Sequence, residues 1–150
     1  MAALKDRLKA DLTSAIRAKD EVRKSTIRMA LSAISTEESS GDSARELTDD
    51  EIITVLTREA KRRREAAEAF RDGGRADSAE REEAEAAVIA EYLPEPLSEA
   101  ELEQIIDAAI AETGASSPRD MGRVMKIVQP QVRGRAEGSA VAAAVKARLA

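Results

Sequence analysis

Arg119, Arg123 and Lys126 are spaced by four and then three residues, and Arg133 and Arg135 follow on either side of Gly134. Residues three and four apart share a helix face, so the first three cations would point the same way. The two arginines flank a glycine whose bare backbone N–H can come close to an anion. The chemistry such a set favours is contact with phosphate groups, held by charge rather than transformed. Lys146 and Arg148 add two cations further on. Two plainer readings stand beside this one: an ordinary basic rim, or a surface that docks the acidic stretch before it. Spacing does not choose among them. Gly122, inside the same segment, reads as a place where two helices approach closely.

Other chemistries find little support. The chain has no cysteine and no histidine, which removes disulfides, Cys/His zinc sites and Ser-His-Asp triads together. Lys61-Arg-Arg-Arg64 spreads over about 300° of a helix. With Glu59, Glu65 and Glu68 one turn away from its members, it reads as a solvated face laced with ion pairs. The acidic run from Glu80 to Glu91 has Arg81 interleaved and reads as a solvated face rather than a metal site. No glycine-rich loop matches a phosphate-binding motif. Phe70 and Tyr92 are the only aromatic residues, too few to stack several bases, so any RNA would be met through shape and phosphate. No catalytic residue, metal ligand or cofactor is assigned, and with no nucleophile beside a base an enzyme is not the expected reading.

Charge is distributed unevenly. Residues 1–92 carry 17 bases and 21 acids, residues 93–116 carry six acids and no base, and residues 117–150 carry seven bases and two acids. The net +5 of that last segment stands against −5 for the chain. No stretch approaches the roughly 18 apolar residues of a membrane span, and the first twenty residues lack the apolar core of a signal peptide. A cytoplasmic protein is the expectation, and the lack of cysteine fits a reducing compartment.

The elements that must position these residues read as helices throughout. Much of the 43% hydrophobic content is alanine, the best helix former, and no run alternates as a strand would. Leu4, Leu8, Leu12, Ala15 and Ile16 predict a helix over Ala3–Lys19. Asp20 caps a second, running to about Glu38 on Val22, Ile27, Ala30, Leu31 and Ile34. The break between them is short enough to be an antiparallel turn or a kink. After a polar loop at Ser39–Ser43, Thr48 and Glu51 form a capping box, and Leu47 with Ile52 a hydrophobic staple. The third helix carries Ile52, Ile53, Leu56, Ala60, Ala67 and Phe70 and stops at Asp72, with Gly73 in the left-handed conformation. A fourth starts near Asp77, with Glu80 as its box partner, and carries Ala84, Val88 and Ile89 to Tyr92.

Pro94 and Pro96 then break the chain. Ser98 and Glu101 form another capping box ahead of a fifth helix on Leu102, Ile105, Ile106, Ala109 and Ile110, closed by Gly114. Pro118 opens a sixth on Met121, Val124, Met125 and Val128, which Pro130 is expected to end. Val141, Val145 and Leu149 line the last. The expected fold is all-α: an N-terminal bundle of long helices over residues 1–92 and a small three-helix domain over residues 97–150. A core of that second size is marginal alone.

Glu91-Tyr-Leu-Pro-Glu-Pro-Leu-Ser-Glu-Ala-Glu-Leu102, Glu112-Thr-Gly-Ala115, Asp120-Met-Gly-Arg-Val-Met125 and Gly134-Arg-Ala136 together resemble the GatB/YqeY family, in particular its free-standing YqeY-like members. Leu4 to Leu12 and Lys19 to Arg28 are similar as well, so the resemblance spans essentially the whole chain. It implies that the C-terminal part is related to the tail domain of the B subunit of the tRNA-dependent amidotransferase, which amidates misacylated tRNA. That tail grips the tRNA body, while the chemistry lies in other domains and subunits. What the resemblance carries over is binding of tRNA or other structured RNA, with Lys126, Arg133 and Arg135 foremost, and neither DNA nor membrane as partner. One departure stands at Glu137, where the family pattern has an Asp cap, so a less firm start is expected for the last helix. The alternative function is an adaptor for a protein of the translation machinery, carried on the long charged N-terminal helices.

Overall fold

The computed structural model describes residues 2–150. Seven α-helices and one 3₁₀ turn account for the regular structure, and no strand occurs among the described residues. The chain forms two compact units, one ending at Leu93 and the other beginning at Pro94.

The first unit holds α1 (Ala3–Ala18), α2 (Glu21–Glu38), α3 (Asp49–Asp72) and α4 (Ala76–Ala90). The break after α1 is a reversal. Lys19 adopts the left-handed conformation (φ 57°), and Asp20 then caps α2 by accepting from the Arg23 N–H at 3.1 Å. Lys5, near the start of α1, reaches Glu38, at the end of α2, at 2.8 Å. The two helices are therefore antiparallel neighbours. The same Glu38 carboxylate accepts the Leu47 N–H, and these two donors hold its pKa below the usual carboxylate range. This seats Leu47 for its staple with Ile52, both buried. The capping box at Thr48 and Glu51 is complete. Arg45 pairs with Glu51 as well, lowering its pKa to about 2. Asp49 accepts the Leu4 N–H at 3.1 Å, supplying the start of α1 with a cap its own sequence lacks.

Leu8, Ile27, Ala30, Ile34, Leu47, Ile52, Val55, Leu56, Val88, Ile89 and Tyr92 make the core of this unit. Tyr92 donates its hydroxyl to Asp11 at 2.5 Å, under an Arg7 guanidinium 4.5 Å from the ring. Burial and the Asp11 carboxylate push its pKa well above the usual phenol value, so it is an anchor for the end of α4 and not a reactive group.

Several local expectations need correcting here. Ile16 and Ala84 are exposed rather than on the buried face. Gly74 (φ 76°), not Gly73, takes the left-handed conformation after α3. The next helix starts at Ala76 behind Arg75, with no side-chain cap, so Asp77 and Glu80 form no box.

The two charged runs are also not wholly solvated. Arg63 and Glu85 are buried between α3 and α4, with Arg63 Nε 3.4 Å from Glu85 Oε2. Arg63 Nη1 donates to Glu59 at 3.2 Å and Nη2 to the Met29 sulfur at 3.3 Å. The physical reason lies in the neighbours. Ala60, Ala67, Ala79 and Ala86 are all buried, and side chains this small bring helices close while filling little volume. The arginine stem fills what they leave.

The second unit holds α5 (Glu99–Thr113), a 3₁₀ turn (Pro118–Asp120), α6 (Met121–Val132) and α7 (Gly138–Leu149). Its core is Ile106, Ala109, Val124, Val128, Val132, Val141, Val145 and Leu149. The Ser98–Glu101 capping box forms, and Gly114 (φ 67°) caps α5 in the left-handed conformation. Glu137 stands at the start of α7 with no side-chain cap bond. Pro130 does not end α6 but lies inside it. It sits on the exposed side, where its ring meets solvent, and Val132 beyond it is buried. Burying that valine offsets the one backbone hydrogen bond that proline cannot make.

Arg63 and Glu85 generate a prediction. Glu85 also pairs with the exposed Arg81 at 3.5 Å, so removing Arg63 leaves a buried carboxylate only partly compensated, at a cost of up to about 3 kcal/mol, whereas removing Glu85 as well takes that buried charge away. Arg63→Met should therefore lower the urea midpoint of the first unit strongly. Adding Glu85→Leu should restore much of it. A double variant no more stable than the single would mean the pair is not coupled as described.

Candidate nucleic-acid interface

The seven cations after Ser117 are not equivalent once folded. Arg119 lies in the 3₁₀ turn ahead of α6 rather than in the helix itself, so the four-residue step to Arg123 is not one turn of a single α-helix. Arg123 donates to Asp120 at 2.6 Å and to the Thr113 carbonyl at 3.2 Å. Asp120 also accepts the Ser116 and Ser117 N–H groups, and with Arg123 these lower its pKa. Arg123 thus helps close the loop between α5 and α6. Arg148 pairs with Asp107 of α5.

Arg135 is the largest departure from expectation. Its Nε donates to the Glu95 carbonyl at 2.9 Å, its Nη2 lies 3.8 Å from Glu101, and its own carbonyl accepts the Leu97 N–H at 2.9 Å. It clasps the strap ahead of α5. Part of the basic set therefore does answer the acidic stretch before it, through Arg135 with Glu101 and Arg148 with Asp107.

Gly134 has a reason of its own. Arg133 has φ −55° and ψ 123°, Gly134 has φ 75°, and the Arg135 N–H donates to the Val132 carbonyl at 2.8 Å. That is a type II turn, which wants glycine at its second central position. The turn aims Arg135 back at the strap and leaves Arg133 exposed.

What remains outward is a row along α6. At 100° per residue, Gly122, Lys126, Gln129 and Arg133 fall within about 60° of one another, and all four are exposed. Val124, Val128 and Val132 lie on the other side, in the core. No carboxylate occurs in α6. The side chains of Arg119 and Lys126 are exposed and make no ion pair or hydrogen bond among the described residues. Gln129 is uncharged, so the spacing of cations does not single it out. Gly122 is also not a helix-packing point: a Cβ placed there meets nothing within 4 Å.

Comparison with known proteins fits this architecture. The family model described as Yqey-like protein matches residues 5–149. The chain belongs to the YqeY-like family. A curated relative, altered inheritance of mitochondria protein 41 of Lachancea thermotolerans, described as mitochondrial, is 34% identical over 113 residues. The match covers 74% of this chain and 60% of that protein. Among the described residues of this YqeY-like chain, no helix is long and apolar enough to cross a membrane.

The clasp makes a prediction that separates structural from available cations. Arg135→Ala should raise amide hydrogen exchange at Leu97 roughly fivefold, the loss of about 1 kcal/mol of local hydrogen bonding. Lys126→Ala should leave that exchange unchanged. Equal effects from both would place Arg135 among the merely exposed cations.

Proposed function

We propose that this YqeY-like protein binds structured RNA, tRNA foremost, through the outer face of α6, as an accessory module without the catalytic parts of the related amidotransferase. The observation that carries the reading is the outer face of α6: Gly122, Lys126 and Gln129 are exposed, Arg119 and Arg133 are exposed at its two ends, and no carboxylate occurs within the helix. Such a face suits a phosphate backbone, since it offers point charges without a pocket and asks for no base to be read. The resemblance to the tRNA-gripping tail domain supports the choice of RNA over other polyanions. Arg119, Lys126 and Arg133 supply the principal charge, Arg123 is shared with Asp120, and Arg135 is a structural residue that bounds the face. A cytoplasmic setting belongs to the same proposal.

A second reading, the protein adaptor, is favoured by Ile16 and Met29, large apolar side chains about half exposed on the first unit.

Fluorescence anisotropy with bulk tRNA over a salt series tests the proposal. If three to five phosphates are engaged, the log–log slope should be about −2 to −4. Changing Arg119, Lys126 and Arg133 together to Glu should weaken binding by about tenfold or more at low salt. The control is Arg62 and Arg64 changed to Glu, with Arg63 left alone because it is buried. It should matter less. Absence of salt-dependent binding, or greater damage from the control, would replace the RNA reading with the adaptor.

A further inference from the structure

Gly122 is the second residue of α6, exposed, with open space where a side chain would stand. Glycine is the poorest helix residue after proline in a helix interior; in this first turn the cost is smaller, and the structural causes for a glycine can be checked one by one. The usual ones are missing. Its backbone is not in the left-handed region, unlike Gly74, Gly114 and Gly134. No neighbouring helix or side chain comes near enough to exclude a Cβ. Gly73, by contrast, has a backbone oxygen 3.4 Å from where its Cβ would be. Nothing within the second unit requires Gly122 to be a glycine.

Its surroundings suggest what does. Lys126 lies one turn further along the same row, Arg123 is adjacent in sequence, and Arg119 precedes it in the 3₁₀ turn. Arg123 is turned to Asp120 and the Thr113 carbonyl, so the two exposed cations that flank the bare position along the chain are Arg119 and Lys126. On such a face, a missing side chain lets a partner's backbone come down onto the helix main chain. The longer cations then reach outward to groups on either side of the contact. A sugar–phosphate strand has this profile: a narrow, continuous, negatively charged ridge.

We propose that Gly122 is the close-approach point of the interface, where the RNA sugar–phosphate backbone rests on α6, and that its lack of a side chain determines affinity independently of charge. The inference rests on the RNA reading of the α6 face and adds to it a requirement that no charge-reversal experiment examines. It carries an unusual pair of expectations. A side chain at Gly122 should help the free protein and harm the complex.

The experiment uses the full chain with Gly122→Ala and Gly122→Gln, neither of which alters charge. Thermal unfolding is followed by circular dichroism, and bulk tRNA binding by anisotropy at low salt. Both variants should unfold at or above the wild-type temperature. Gly122→Ala should bind several-fold more weakly, and Gly122→Gln about tenfold more weakly, the loss of one close charge-assisted contact. If the wild type binds tRNA and both variants bind equally well, Gly122 is not an approach point and the inference fails, while the RNA reading stands. If the variants unfold earlier than wild type, glycine is needed by the fold and the inference fails for that reason. If the wild type does not bind tRNA, the RNA reading fails and takes this inference with it.

Discussion

Arg135 and the strap ahead of α5 hold each other at two points: the guanidinium on the Glu95 carbonyl, and the Leu97 N–H on the Arg135 carbonyl. The second unit is organised around that clasp. Pro94 and Pro96 have no N–H to offer, so this stretch cannot secure itself as helix. Its fixed point must come from elsewhere, and the type II turn after α6 supplies it. With Leu97 held, it packs on the second core together with Leu102 across the Ser98–Glu101 capping box. The turn also orients α6. Val132 is buried on one side of the chain's last helical step before Gly134, and Arg133 is exposed on the other. The cationic row of α6 is thus a consequence of how the unit closes, and its boundary is set by an arginine that has been drawn into the structure.

The small size of the buried side chains shapes both units. The second core has no aromatic residue, only valines, isoleucine, leucine and alanine. The first has one buried aromatic residue, Tyr92, fixed through its hydroxyl rather than by stacking. Where α3 and α4 meet, alanines leave room that Arg63 fills with its stem while its head group finds Glu59 and Glu85. A buried ion pair of this kind is weak evidence for stability but costly to break from one side. Glu38 plays a comparable part on the surface of the first unit, joining α1, the end of α2 and the segment before α3 through one carboxylate.

Much of this was legible in the residues. The capping boxes at Thr48 and Ser98, the Asp20 cap, the apolar stripes of α2 and α7 and the all-α class follow from local rules, and local geometry decides them. The misreadings share a different origin. Arg63 and Glu85 looked solvated because charged residues in a charged run usually are, and only the alanine seam makes room for them. Pro130 looked like a terminator because propensity knows nothing of the burial of Val132. Of the six candidate interface positions, Arg119, Arg123, Lys126 and Arg133 are exposed, while Gly134 and Arg135 serve the fold. The clasp on Glu95 joins residues forty apart in sequence, and no spacing rule reaches that far. Gln129 carries no charge, and the spacing of cations passes it by.

The central claim is that the outer face of α6 meets RNA, and amide chemical-shift mapping of the isotope-labelled protein titrated with tRNA tests it most directly. The account predicts perturbations clustered at Gly122, Arg123, Lys126, Gln129 and Arg133, with α1 to α4 and the buried face of α6 silent. Shifts confined to the first unit, or spread over α5 and α7 with the α6 row unchanged, would contradict it.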